Sequence, residues 1–144
     1  NNQAMTKEEK LAVLNARSEF NNYNGIKVVD FGEGSSAVET ELQKTSMNPW
    51  GSAHGGLVFS MCDVAAGVAL MGAAHSVVTQ SASIYYLRPA AGKTLRAEGR
   101  VIKDGRTVAL VETNVYNDGG ELVASGKFEY FQTGARKKAD GEEE

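Results

Sequence analysis

The chain has 144 residues, 42% of them hydrophobic and 23% charged, with a formal net charge of −3. That length buries a core without staples, and the charge balance offers nucleic acid no basic surface. One cysteine cannot close an internal disulfide, and one cysteine with two histidines cannot assemble a common zinc site, so the counts predict a reducing, cytoplasmic setting and metal-free chemistry.

No basic patch, apolar run and cleavage site of a signal peptide opens the chain. Residues 1–4, ahead of Met5, read as an expression remnant outside the fold. Thr6 and Glu9 form a capping-box pattern, predicting a helix through about Phe20 with Leu11, Ala12 and Leu14 on one side. Asn21, Asn22, Asn24 and Gly25 end it. A strand over Ile26 to Phe31, a turn at Gly32 to Gly34 and a half-buried strand over Ala37 to Leu42 follow. Asn48-Pro49 and Gly51 mark a loop.

From Gly55 to Ala74 the chain is apolar almost all round, interrupted by Ser60 and Asp63. A helix of that kind is buried or crosses a membrane. A charge inside a span is expensive, and no basic flank orients this one. The prediction is a central helix wrapped by a sheet. The rest reads as strand: Val77 to Leu87, Thr94 to Lys103, Thr107 to Tyr116 across an Asp104-Gly105 hairpin signal, and Leu122 to Phe131. These are expected in antiparallel succession, giving an α+β layout. The run from Arg136 to Lys138 and then Glu142 to Glu144 has no apolar anchor, so residues 134–144 are predicted to be a disordered charged tail.

Three motifs fail on inspection. Gly92-Lys93-Thr94 lacks the earlier glycine and the following helix of a phosphate loop. Gly32, Gly34 and Ala37 precede an alternating strand, not the helix a dinucleotide site needs. No Gly-x-Ser-x-Gly elbow is present.

The segment Asn48-Pro49-Trp50-Gly51-Ser52-Ala53-His54-Gly55-Gly56, running on to Asp63, is where chemistry is expected. The first turn of a helix has unpaired N–H groups and partial positive charge, and glycine lets a ligand approach them. Such a start polarises a carbonyl that gains negative charge. Asp63 lies two turns on in apolar sequence, where an unpartnered carboxylate is costly. Structural roles stay open beside these. Gly55 and Gly56 also serve close packing, His54 also fits a core position on a backbone carbonyl, and Asp63 also fits an ion pair with Arg88. Cys62 reads as a small buried hydrophobe, and Trp50 as core or as a pocket wall.

Asn48-Pro49-x-Gly51-x-x-His54-Gly55-Gly56, with Phe59 and Asp63, resembles the signature of PaaI-type thioesterases of the hotdog superfamily. Thr79 to Pro89 is similar to that family's third strand, and Gly99-Arg100-Val101 with Asp104 to Thr107 to its closing hairpin. The resemblance implies a single hotdog domain over residues 6–133, a curled antiparallel sheet around one long helix. It implies hydrolysis of an acyl-CoA thioester, with coenzyme A part of the substrate and no other cofactor or metal. Asp63 would activate water or attack the carbonyl. Gly55, with Gly56, would polarise that carbonyl. Asn48 would reach in across a dimer interface, His54 would shape the turn, and Thr79 would assist the water. Arg88, Lys103 and Arg106 would meet the phosphates of coenzyme A. A homodimer or homotetramer is expected, with no membrane and no nucleic-acid partner. Ser81 stands where the family often has an acid. A non-catalytic acyl-CoA sensor and a hotdog enoyl-CoA hydratase or dehydratase are the rival readings.

Overall fold

A computed structural model describes residues 4–71 and 76–133. Residues 1–3, residues 72–75, where the expected helix ends, and residues 134–144, expected as a charged tail, lie outside the described residues. In chain order the elements are α1 (Lys7–Ala16), α2 (Glu19–Tyr23), β1 (Ile26–Gly32), β2 (Ser35–Glu41), a short 3-10 turn (Lys44–Ser46), α3 (Gly55–Met71), β3 (Val77–Tyr86), β4 (Thr94–Asp104), β5 (Val108–Asn117) and β6 (Leu122–Gln132).

The N-terminal helix is two helices. Thr6 caps α1 with the expected reciprocal box, but Ser18 accepts a hydrogen bond from the Asn21 amide and restarts the chain as α2. A serine side chain satisfies one of the amides a new helix start leaves unpaired, and so competes with continuation. Leu11 and Leu14 lean on the core, while Ala12 is exposed and takes no part in that face.

The six strands form one antiparallel sheet in the order β1-β2-β4-β5-β6-β3. The four C-terminal strands are therefore not laid down in succession. β2 pairs with β4, and β3 lies at the far edge against β6. The sheet curls so that α3 packs against every strand. Met61, Cys62, Ala65 and Ala66 of α3 are wholly buried, with Leu95, Val111, Val115 and Phe128 of the sheet. Small residues let the helix settle close. A Cβ at Gly99 of β4 would stand 2.7 Å from the Ala65 carbonyl oxygen, and Ser36 donates to that same oxygen at 2.5 Å. No helix among the described residues is long and apolar enough to cross a membrane.

Candidate active site

The loop before α3 is built around Asn48. Its side-chain oxygen accepts from the Trp50 and Ser52 amides at 2.9 and 3.1 Å, and its amide donates to Ser52 Oγ at 2.9 Å. Asparagine folding its own backbone this way is a common turn device, and Gly51 supplies the positive φ of 86° the turn requires. The Ala53 amide donates to the Ala90 carbonyl and the His54 amide to Ser46, which ties the loop to the segment after β3 and to the 3-10 turn.

His54 ends the loop as the cap of α3. It is exposed, not a core residue, and its Nδ1 accepts the Gly56 N–H at 2.8 Å. The Leu57 and Val58 amides both donate to the His54 carbonyl. Of the first-turn amides, Gly55 N–H alone has no hydrogen-bond partner among the described residues. A helix start normally leaves several such donors; here the local chain has consumed all but one. The Tyr86 hydroxyl donates to the Gly55 carbonyl at 2.9 Å. The Tyr86 ring lies over that glycine, 3.4 Å from where a Cβ would stand.

Asp63 is half-buried and has no basic partner among the described residues. Its Oδ1 accepts from Thr79 Oγ1 at 2.6 Å and from the Tyr130 hydroxyl at 2.7 Å, and that hydroxyl also lies 2.7 Å from the Asp63 backbone oxygen. Its Oδ2 accepts nothing from a described residue. Arg88 is not its counter-ion, since Arg88 pairs with Glu121 at 2.8 Å. Beside it, Cys62 is fully buried, and burial pushes its thiol up to about 11. Burial, and then the Asp63 charge, raise Tyr130 well above the ordinary tyrosine value, so it stays a protonated donor.

Thr79, which the resemblance implies, hydrogen-bonds Asp63; neither the resemblance nor the sequence pattern alone points to Tyr130. The available signal was the alternation of β6, which turns Phe128 and Tyr130 to the core, together with the need of a buried tyrosine hydroxyl for a partner. Ser81 does not face Asp63. A bulge between Thr79 and Ser81 shifts the register, so Thr79 opposes Tyr130 and Ser81 opposes Glu129. Ser81 and Glu129 hydrogen-bond on the outer face.

Within one chain these groups fall in two places. Eight residues of helix separate Gly55 from Asp63, about 12 Å at 1.5 Å per residue, so one thioester carbonyl cannot touch both in a single subunit. Asn48, Gly55, Gly56, Tyr86 and Arg88 line a cleft of about 630 Å³ that Asp63 and Thr79 do not reach. The three basic residues also separate. Arg88 sits by Val123 at one end of β6, while Lys103 and Arg106 sit at the β4–β5 hairpin by Gln132 at the other. That is roughly 30 Å along the strand. Trp50 is 86% exposed, so it is not core. No metal-binding cluster is present among the described residues.

A six-stranded antiparallel sheet curled around one long helix is the hotdog fold. The thioesterase superfamily model matches residues 51–124, and the chain belongs to that superfamily, in its PaaI-type branch. Acyl-coenzyme A thioesterase PaaI of Escherichia coli strain K12 is 30% identical over 101 residues, covering 69% of this chain and 72% of that protein. The solved structure of the E. coli PaaI protein superposes with a TM-score of 0.82 at 25% identity, covering 90% of this chain and 96% of that one. A Streptococcus mutans UA159 protein bound to acetyl-CoA matches at a TM-score of 0.73 and 37% identity, covering 78% and 91%. A hypothetical thioesterase protein from Streptococcus pneumoniae TIGR4, solved with coenzyme A, matches at 0.74 and 28%, covering 80% and 94%. Variants of that last protein were solved with an aspartate or a threonine replaced by alanine.

Proposed function

We propose that the protein hydrolyses an acyl-CoA thioester to the free acid and coenzyme A, in a site shared between two copies of the chain. The observation that carries this reading is the pairing of one acceptor, Oδ2 of Asp63, with one donor, the Gly55 N–H, both unpartnered among the described residues, each held by its neighbours and too far apart to act in one subunit.

The edge strand β3 supplies the way to bring them together. Thr79, which holds Asp63, and Tyr86, which covers Gly55, lie seven positions apart on it. An antiparallel copy of β3 with its twofold between Ala82 and Ser83 sets Thr79 of one chain opposite Tyr86 of the other. Val78, Tyr85, Tyr86 and Leu87 are all exposed at this edge, and an unpaired apolar edge invites a second strand. The thioester carbonyl accepts from the Gly55 amide of one chain while Oδ2 of Asp63 in the other takes a proton from water or attacks the carbonyl. In either route the C–S bond breaks, the thiolate leaves with a proton, and one water is consumed. Thr79 holds the carboxylate. Asn48 shapes the loop that presents Gly55, with its amide end beside the cleft, and His54 sets the turn by removing Gly56 N–H from competition.

Arg88, on that same cleft, is the basic residue best placed for a phosphate of coenzyme A. Gly56 lines the cleft by its backbone. Lys103 and Arg106 join Arg88 only if the second copy brings its hairpin alongside. A homodimer, alone or doubled into a tetramer, follows, and residues 6–133 act as its single domain in the cytoplasm. The sensor reading leaves the hydroxyl-held carboxylate without a task. The hydratase reading wants a free acid–histidine pair, whereas His54 Nδ1 is engaged by Gly56.

Thiol release from a panel of acyl-CoAs, measured against water addition to an enoyl-CoA, tests the assignment. Wild-type protein should release thiol, and Asp63→Asn should lose the ~10²–10⁴-fold typical of a general base. Because Asn retains an oxygen for Thr79 and Tyr130, its melting temperature should hold. Near-wild-type turnover by Asp63→Asn contradicts the assignment.

A further inference from the structure

We propose that Tyr130 is a positioning residue of the hydrolysis, which together with Thr79 ties down Oδ1 of Asp63 and reserves Oδ2 for the reacting water or carbonyl. The inference rests on the proposed role of Asp63 and goes beyond it by naming the reactive oxygen and the group that selects it.

A carboxylate oxygen offers two in-plane acceptor sites. At Oδ1 both are taken, by Thr79 from β3 at 2.6 Å and Tyr130 from β6 at 2.7 Å. A carboxylate held by a single hydrogen bond on one oxygen still swings about its side-chain torsion. Two donors from two strands fix the plane of the group. The single Tyr130 hydroxyl proton is shared between Oδ1 and the Asp63 backbone oxygen, each 2.7 Å away. Side chain and helix are thereby referenced to the same atom.

The surrounding residues keep this arrangement. Tyr130 is 4% exposed, with its ring in the core, so its hydroxyl has little freedom to turn elsewhere. Burial and the Asp63 charge raise it, so it remains a donor at assay pH. The β3 bulge is the second device. Thr79 and Tyr130 are directly paired across the β3–β6 ladder, and the extra residue, Gln80, is inserted just after Thr79. Bulges beside sites re-aim side chains. This one lets Thr79 face Asp63 while the strand beyond it runs in the opposite phase, carrying Ser81 to Glu129 on the other face. Both donors are neutral hydroxyls, so among the described residues Asp63 is oriented by hydrogen bonds and not by an ion pair.

Tyr130→Phe removes the hydroxyl and keeps the ring. Its kcat should fall about 10-fold with KM unchanged, the pattern of a group that orients the reacting atoms without binding substrate. Thr79→Val should behave likewise. The double variant should lose less than the product of the two single losses, because the carboxylate swings as soon as either donor is gone. 3-Fluorotyrosine at position 130, which keeps shape and donor, should restore kcat to within about twofold. All rates are taken per folded molecule, from melts on the same samples. If Tyr130→Phe melts below the assay temperature, Thr79→Val is read in its place, and its kcat must fall at constant KM. Wild-type kcat in folded Tyr130→Phe overturns the inference, as does simple multiplicativity in the double variant. Asp63→Asn run in parallel separates the two levels. If it retains turnover, the functional reading fails. If it is dead while Tyr130→Phe is normal, only the role of Tyr130 fails.

Discussion

Cys62 and Asp63 are sequence neighbours on α3 with opposite surroundings. The thiol points into the core and is wholly buried, while the carboxylate meets two hydroxyls. Burial raises Cys62 from 9.0 to about 11. An unfolded chain therefore ionises its thiol first as pH rises from 9.0, and the folded chain resists until about 11. The thiol's linkage makes stability fall as pH climbs through that window. Cys62→Ser, whose hydroxyl does not titrate there, should flatten the alkaline decline in melting temperature. An identical decline in both proteins would refute the linkage. At this scale the sequence was informative where a residue broke a pattern. Asp63 stood out because its neighbours are apolar, and Gly55 because it opens a helix. Tyr130 broke no pattern, since a tyrosine in an alternating strand looks like any core aromatic. The consumption of the Gly56 amide by His54 depends on a ring orientation that spacing does not encode.

The elements were read well where local chemistry decides them. The cap at Thr6, the loop at Asn48 and the start of α3 at Gly55 follow from caps, turn residues and apolar runs. Two things escaped. The restart of the helix at Ser18 is a competition between one side-chain hydrogen bond and continued helix, too close to judge from composition. The place of β3 at the sheet edge depends on which strand its face can bury against, and that is a long-range matter. α3 lies between β2 and β3 in sequence, which is what frees β3 to join the far side of the sheet. Close contact of α3 with β4 is the packing event that holds this arrangement, and it rests on Gly99. A methyl group there would meet the Ala65 carbonyl at 2.7 Å and Ser36 Oγ at 2.8 Å. Gly99→Ala should therefore destabilise by about 1–3 kcal/mol, as overpacking does, read as a lower denaturation midpoint with an unchanged slope. A variant as stable as wild type would show that helix and strand can part without loss.

At the scale of the molecule, one subunit holds every part of the proposed chemistry and lacks their juxtaposition. Gly55 opens α3 and Asp63 sits about 12 Å further along it, while β3 carries a marker for each, Tyr86 and Thr79. The edge that carries both markers has no strand paired to its outer side among the described residues, so assembly and catalysis are proposed to be one event. Mixed dimers test this most directly. Asp63→Asn removes the carboxylate, and Gly55→Pro removes the single free amide at a first-turn position where proline is tolerated. Each homodimer should be inactive. A heterodimer purified through two different tags carries one site with both parts intact and one with neither, and should regain about half the wild-type turnover. A heterodimer as inactive as its parents would contradict the shared site and place the carbonyl donor and the carboxylate within one chain.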